Sequence, residues 1–86
     1  MYKIVYSSQA QKDAKKVIKS GLKSNIQKIV NILQNNPFQN PPPYEKLIGS
    51  LSGAYSRRLN IQHRLVYQIY ENEKIVKIIR MWTHYE

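Results

Sequence analysis

The sequence holds no cysteine, which excludes a disulfide framework and any thiolate metal ligand. Its imidazoles are two, His63 and His84, too few for a structural zinc site, and neither a metal nor another cofactor is expected. Acid is scarce: 5 Asp+Glu stand against 14 Lys+Arg, for a formal charge of +9. Such a field attracts nucleic acid, an anionic membrane or an acidic protein, and composition alone does not choose among them. No apolar run approaches the roughly 18 residues of a membrane span, and the polar, basic first residues lack the apolar core of a signal peptide. A cytoplasmic chain with no membrane partner is therefore expected. With 86 residues there is room for one domain, residues 1–86, and one modest core, so a large substrate would have to be gripped from outside with the help of a partner.

What is present is unevenly placed. Lys12, Lys15, Lys16, Lys19, Lys23 and Lys28 lie in the first third, whereas Arg57, Arg58, Arg64 and Arg80 all lie beyond residue 56. Lysine is a flexible point charge suited to solvated helix faces and diffuse phosphate attraction. Arginine presents a planar fork that can hold one phosphate in a fixed geometry.

The sequence pattern divides the chain into six regular elements and one proline-rich loop. Tyr2 to Tyr6 alternates and reads as a strand. Ser8-Gln-Ala-Gln11 has the form of a capping box, after which Ala10, Ala14, Val17 and Ile18 recur at helical spacing up to Gly21. Leu22, Ile26, Ile29, Val30 and Leu33 form the stripe of a second helix, stopped at Asn35-Asn36-Pro37. Prolines 37, 41, 42 and 43 oppose helix and ladder alike, so a stiff extended loop carrying Glu45 is expected before Ser50. Ala54 to Ile61, Arg64 to Tyr70 and Ile75 to Trp82 read as three strands of an antiparallel meander. The predicted fold is α+β, a two-layer β-α-α-β-β-β sandwich with a mostly antiparallel sheet, the first strand at an edge and both helices on one face. Its expected core is Val17, Ile26, Ile29, Val30, Leu33, Leu65, Tyr67, Ile69, Val76 and Ile78, and the other sheet face is left free. Strand polarity does not decide which of Arg57 and Arg58 faces away from the helices.

Metal-free cleavage of RNA needs a base for the 2′-OH proton, a cation for the charged transition state and an acid for the leaving 5′-oxygen. The chain has one candidate for each in Glu45, Arg64 and His84. Each also has a plainer reading: Glu45 as a surface carboxylate beside Lys46, Arg64 as a cross-strand partner, His84 as an exposed tail residue. Tyr55, Tyr67, Tyr70 and Trp82 read as core or sheet packing, with Tyr55 and Trp82 also open to base stacking.

The order of residues says more than any one of them. Ser-Gly-Ala-Tyr-Ser-Arg-Arg-Leu-Asn-Ile-Gln-His-Arg-Leu-Val-Tyr (Ser52 to Tyr67), with Glu45-Lys-Leu upstream and His84-Tyr85 near the end, closely resembles the Txe/YoeB family of toxins of bacterial toxin–antitoxin modules, within the RelE-like superfamily. The resemblance implies the same element order and a metal-independent, ribosome-dependent endoribonuclease that cuts mRNA in the decoding site. By position it implies Glu45 as general base, Arg64 as phosphate stabiliser, His84 as general acid and Tyr85 as a substrate-placing aromatic. Arg58 matches a second family arginine, and Arg57 and Lys46 are further substrate-binding candidates. The implied partners are an acidic antitoxin of the YefM/Phd type, the ribosome and its mRNA, and a homodimer is also allowed. In so basic a domain the carboxylate is expected to stay ionised, orienting the 2′-OH more than deprotonating it.

Three departures stand out. Pro41-Pro42-Pro43-Tyr44-Glu45 replaces the family's usual Gly-Lys-Pro-Glu approach, Ile48 sits where relatives often carry a base, and Glu86 follows the terminal tyrosine. A different functional class, the non-catalytic gyrase-directed inhibitors of the same superfamily, shares fold and charge but has no need of Glu45, Arg64 and His84-Tyr85 together. A plain basic RNA-binding module lacks the recurrent aromatic pattern of single-strand binders.

Overall fold

The computed structural model describes residues 1–81. Along the chain run β1 (Lys3–Tyr6), α1 (Ser8–Lys19), α2 (Lys23–Asn35), β2 (Glu45–Lys46), a 3₁₀ turn (Gly49–Leu51), β3 (Tyr55–Arg58), β4 (Arg64–Tyr70) and β5 (Ile75–Arg80). The strands form one sheet in the order β1-β5-β4-β3-β2. β1 is parallel to β5, and the other pairings are antiparallel. This is the expected α+β arrangement with β1 at an edge. No helix among the described residues is long and apolar enough to cross a membrane.

Local chemistry sets the helix ends. Ser7, not Ser8, caps α1, its hydroxyl accepting from the Ala10 amide at 3.0 Å. The same hydroxyl donates to the Ile79 carbonyl at 2.7 Å, fastening the helix start to β5. The expected box does not form: Ser7 has the extended backbone that a capping residue requires, and the third helical position is then Ala10, which has no polar side chain to reach back. At the other end Gly21 adopts φ +82°. The Leu22 amide bonds back to the Val17 carbonyl and the Gly21 amide to that of Ile18, the paired bonds of a left-handed helix stop. α2 leaves its axis at Asn36, just before Pro37.

The apolar stripes of both helices close on one sheet face. Ala10, Val17, Ile26, Ile29 and Leu33 pack with Leu59, Leu65, Tyr67, Val76, Ile78 and Met81. Val30 and Ile69, expected in the core, are only partly buried against it. Ala10, which lies on the helical stripe, joins it with Leu59 and Met81, all three outside the expected core. Tyr70 is exposed at a strand end, its hydroxyl donating to Gln68, so it is not a core residue.

Two strands are shorter than expected, β3 ending at Arg58 and β5 at Arg80; Trp82 lies outside the described residues. The proline segment departs most from expectation. It is not loop throughout: Glu45 and Lys46 pair with Ser56 and Tyr55 as a two-residue edge strand. Pro41, Pro42 and Pro43 all precede this pairing, so none of them removes a ladder donor from it.

Candidate functional site

Antiparallel register and the period-two pleat place the polar residues. Ser56 lies opposite Val66 and Arg58 opposite Arg64 on β3 and β4, while Glu45 lies opposite Ser56. These residues share the sheet face turned away from the helices. Tyr55 and Arg57, opposite Tyr67 and Leu65, share the face that carries the core.

On the helix-free face the side chains converge. Arg64 Nη1 donates to Glu45 Oε1 at 2.8 Å and to Ser56 Oγ at 3.0 Å. The Arg64 side chain retains 22 % of its exposure and that of Glu45 64 %, so the cation is held in the sheet surface and the carboxylate stands at the rim. Glu45, Ser56, Arg58 and Arg64, with Pro42 and Pro43, line a cavity of about 180 Å³. The Nε and Nη2 groups of Arg64 make no hydrogen bond among the described residues, which leaves one edge of the guanidinium for an oxyanion. The carboxylate beside it can accept a hydroxyl proton's hydrogen bond.

The other expected site residues divide. Arg58 reaches the cleft and is exposed. Lys46 is exposed but sits in register with Tyr55, so strand alternation directs it to the face opposite Glu45. His84 and Tyr85, the candidate acid and aromatic, lie outside the described residues, as does Glu86.

Arg57 is corrected outright as a substrate-binding residue, because it is 1 % exposed. Its Nε donates to the Tyr67 hydroxyl at 2.9 Å, Nη1 to the Pro42 carbonyl at 2.6 Å, and Nη2 to the carbonyls of Pro37 and Gln39 at 3.0 and 2.8 Å. Its guanidinium also lies 4.8 Å from the ring centre of Tyr44. A buried charge is tolerated here because its donors are met by carbonyl dipoles, a phenol and a ring face. Burial pushes the Tyr67 phenol up to about 12, against the opposing pull of Arg57, so that phenol stays a neutral acceptor for the guanidinium at physiological pH. The clamp fixes the segment that forms one wall of the cleft. Tyr55 belongs to the same structural layer, stacked on Tyr67 and edge-on to Phe38 and Tyr44, and is engaged in packing, not in base stacking.

Two residues with clear placing roles escaped sequence reasoning. Ser56 supports Arg64, and the signal was its period-two spacing from Arg58 on a strand facing Arg64. Asp13, 2 % exposed on α1, accepts from the Met81 amide at 3.2 Å, from Arg80 Nε at 3.3 Å and from Gln9 at 2.8 Å. Burial raises its pKa, but these hydrogen bonds and the Arg80 charge outweigh that and hold it below the ordinary carboxyl value. Asp13 thereby anchors the chain just past the end of β5, three residues before His84.

Known proteins share this fold. The family described as "YoeB-like toxin of bacterial type II toxin-antitoxin system" matches residues 4–85. Toxin YoeB of Mycobacterium bovis is 37 % identical over 60 residues, 70 % of this chain and 68 % of that protein. The YoeB–YefM complex from Staphylococcus aureus superposes with a TM-score of 0.80 at 32 % identity, covering 99 % of both chains. A YoeB dimer from the same organism gives 0.81 at 31 % identity, with 98 % of both chains covered. Family match, relatives and fold agree along nearly the whole chain, and the chain belongs to the YoeB-like toxins of bacterial type II toxin–antitoxin systems.

Proposed function

We propose that this toxin is a ribosome-dependent endoribonuclease that cuts mRNA in the decoding site through the RNA's own 2′-OH. The observation that carries the proposal is the Glu45–Arg64 pair, 2.8 Å apart in a cavity on the helix-free sheet face. Glu45 accepts the 2′-OH proton or its hydrogen bond, and the 2′-oxygen attacks the adjacent phosphorus. Arg64 stabilises the charge that builds on the non-bridging oxygens, and Arg58 holds the RNA backbone beside it. The P–O5′ bond breaks, and a proton passes to the departing 5′-oxygen, leaving a cyclic 2′,3′-phosphate and a free 5′-hydroxyl. His84 as the donor of that proton, with Tyr85 beside it, rests on position in the family pattern. None of these steps calls for a metal ion.

A Staphylococcus aureus relative is known in complex with YefM and as a dimer. For this chain we infer an acidic antitoxin that covers the cationic face and masks Arg58 and Arg64, with a homodimer as a second assembly. A cytoplasmic location goes with action on ribosomes. The test is a translating extract programmed with a defined mRNA, with cleavage mapped by primer extension. Cleavage within the decoding site is expected, and a 2′-O-methyl group on the nucleotide 5′ of the cut should abolish it; cleavage that survives the methyl group removes the proposal.

A further inference from the structure

A nuclease substrate is a polymer, so the chain flanking the scissile phosphate has to leave the catalytic cleft along some path on the protein. Beside the cleft lies a larger groove of about 490 Å³ between α2 and the proline segment, within the range of roughly 300–1,000 Å³ typical of small-ligand sites. The two concavities share Pro42 and Arg58 among their lining residues. Ile32, Pro41, Pro42 and Leu59 give the groove apolar walls, while Lys28 and Arg58 supply cations, and no carboxylate is among its lining residues. The groove is held open from within. Arg57 grips the carbonyls of Pro42 and Gln39 on one wall, and Asn25 Nδ2 donates to the Leu59 carbonyl at 2.7 Å, tying α2 to the end of β3.

We propose that this groove is a nucleotide-binding subsite, which takes the base of a residue flanking the scissile phosphate against Ile32, Pro41 and Leu59 and its phosphate between Lys28 and Arg58. The inference rests on the nuclease reading above and deepens it. Apolar walls suit a base, and two cations without an acid suit a phosphodiester. An acidic protein segment would also meet those cations, but the lining shared with the cleft at Pro42 and Arg58 favours RNA.

The test is single-turnover cleavage on programmed ribosomes, with an abasic residue placed in turn at each of the two positions on either side of the cut, comparing wild type, Lys28→Glu and Lys19→Glu. Lys28 and Lys19 are both exposed, and Lys19 ends α1 away from the groove, so the second variant controls for charge alone. At one flanking position the wild type and Lys19→Glu should lose about tenfold in kcat/KM, the low end for removing a contact from an apolar pocket. Lys28→Glu should start lower and lose less on the same substitution, because the two changes act on one contact. A wild type indifferent to every abasic position overturns the subsite, as does a Lys28→Glu protein with the full wild-type response. Normal cleavage by Lys28→Glu with loss of antitoxin neutralisation would make the groove a protein-docking surface instead. If the wild type cuts no RNA at all, the nuclease reading itself fails, an outcome read from the wild-type lanes alone.

Discussion

Arg57 and Arg58 are neighbours in one short strand, yet the pleat sends them to opposite fates. Arg57 enters the layer between sheet and proline segment and binds three carbonyls and a phenol. Arg58 emerges beside Arg64 and Glu45, exposed and without a hydrogen bond among the described residues. The same contrast separates the two sheet faces. On one, a cation is consumed in holding the fold; on the other, cations are held by the fold with donors to spare. In a domain this small, an arginine-rich strand builds the wall of a site and equips the site at once.

Removing the structural arginine should have the largest effect on folding. Arg57→Ala strands the Pro37, Gln39 and Pro42 carbonyls and the Tyr67 hydroxyl in a buried layer, and should cost about 3–5 kcal/mol of stability in urea unfolding. Arg57→Lys keeps the charge but not the fork, and should recover only a minority of that loss. A Lys variant as stable as wild type would show that charge, not shape, is what this layer uses.

Asp13 gives a second, smaller contrast, since it ties α1 to the end of β5 through the hydrogen bonds described above. Asp13→Asn should cost about 1–3 kcal/mol at neutral pH. The sign of its pH dependence follows from the lowered folded-state value. Its stabilisation is fully present above the ordinary carboxyl value of 3.8 and is lost as pH falls through the depressed one. Acid unfolding followed by circular dichroism should therefore lose part of its pH dependence in Asp13→Asn, and an unchanged acid limb would contradict this role.

The smallest effect belongs to the exposed arginine. Arg58→Ala should leave unfolding unchanged and weaken cleavage mainly through KM. Its contribution should be about 1 kcal/mol or less and shrink as salt is raised. A salt-independent loss confined to kcat would assign Arg58 to the reacting phosphate instead.

The legible part of this fold is the part with a period. β4 runs from Arg64 to Tyr70 as expected, and both helices announced themselves through stripes of alanine, isoleucine, leucine and valine. β2 was illegible because a two-residue strand after three prolines has no alternation to show. The burial of Arg57 was illegible for a different reason: Tyr55-Ser-Arg-Arg58 offers polar side chains to both faces, and the carbonyls that accept the guanidinium lie 15 to 20 residues upstream. Asp13 meets its partners 67 and 68 residues away, a pairing that no local window contains. Glu45 and Arg64 were marked by family pattern as a site, and the distance between them is what only the fold could supply.

Whether RNA is cut in the Glu45–Arg64 cleft is read from single-turnover cleavage by Arg64→Ala on programmed ribosomes, with urea unfolding run on the same protein. Arg64 is bonded to a largely exposed carboxylate and to the buried Ser56 hydroxyl, so its loss should cost about 1–3 kcal/mol of stability and leave the toxin folded. Removing a preorganised charge stabiliser should slow cleavage by about 10²–10³-fold. A folded Arg64→Ala toxin that cuts at the wild-type rate would contradict the account.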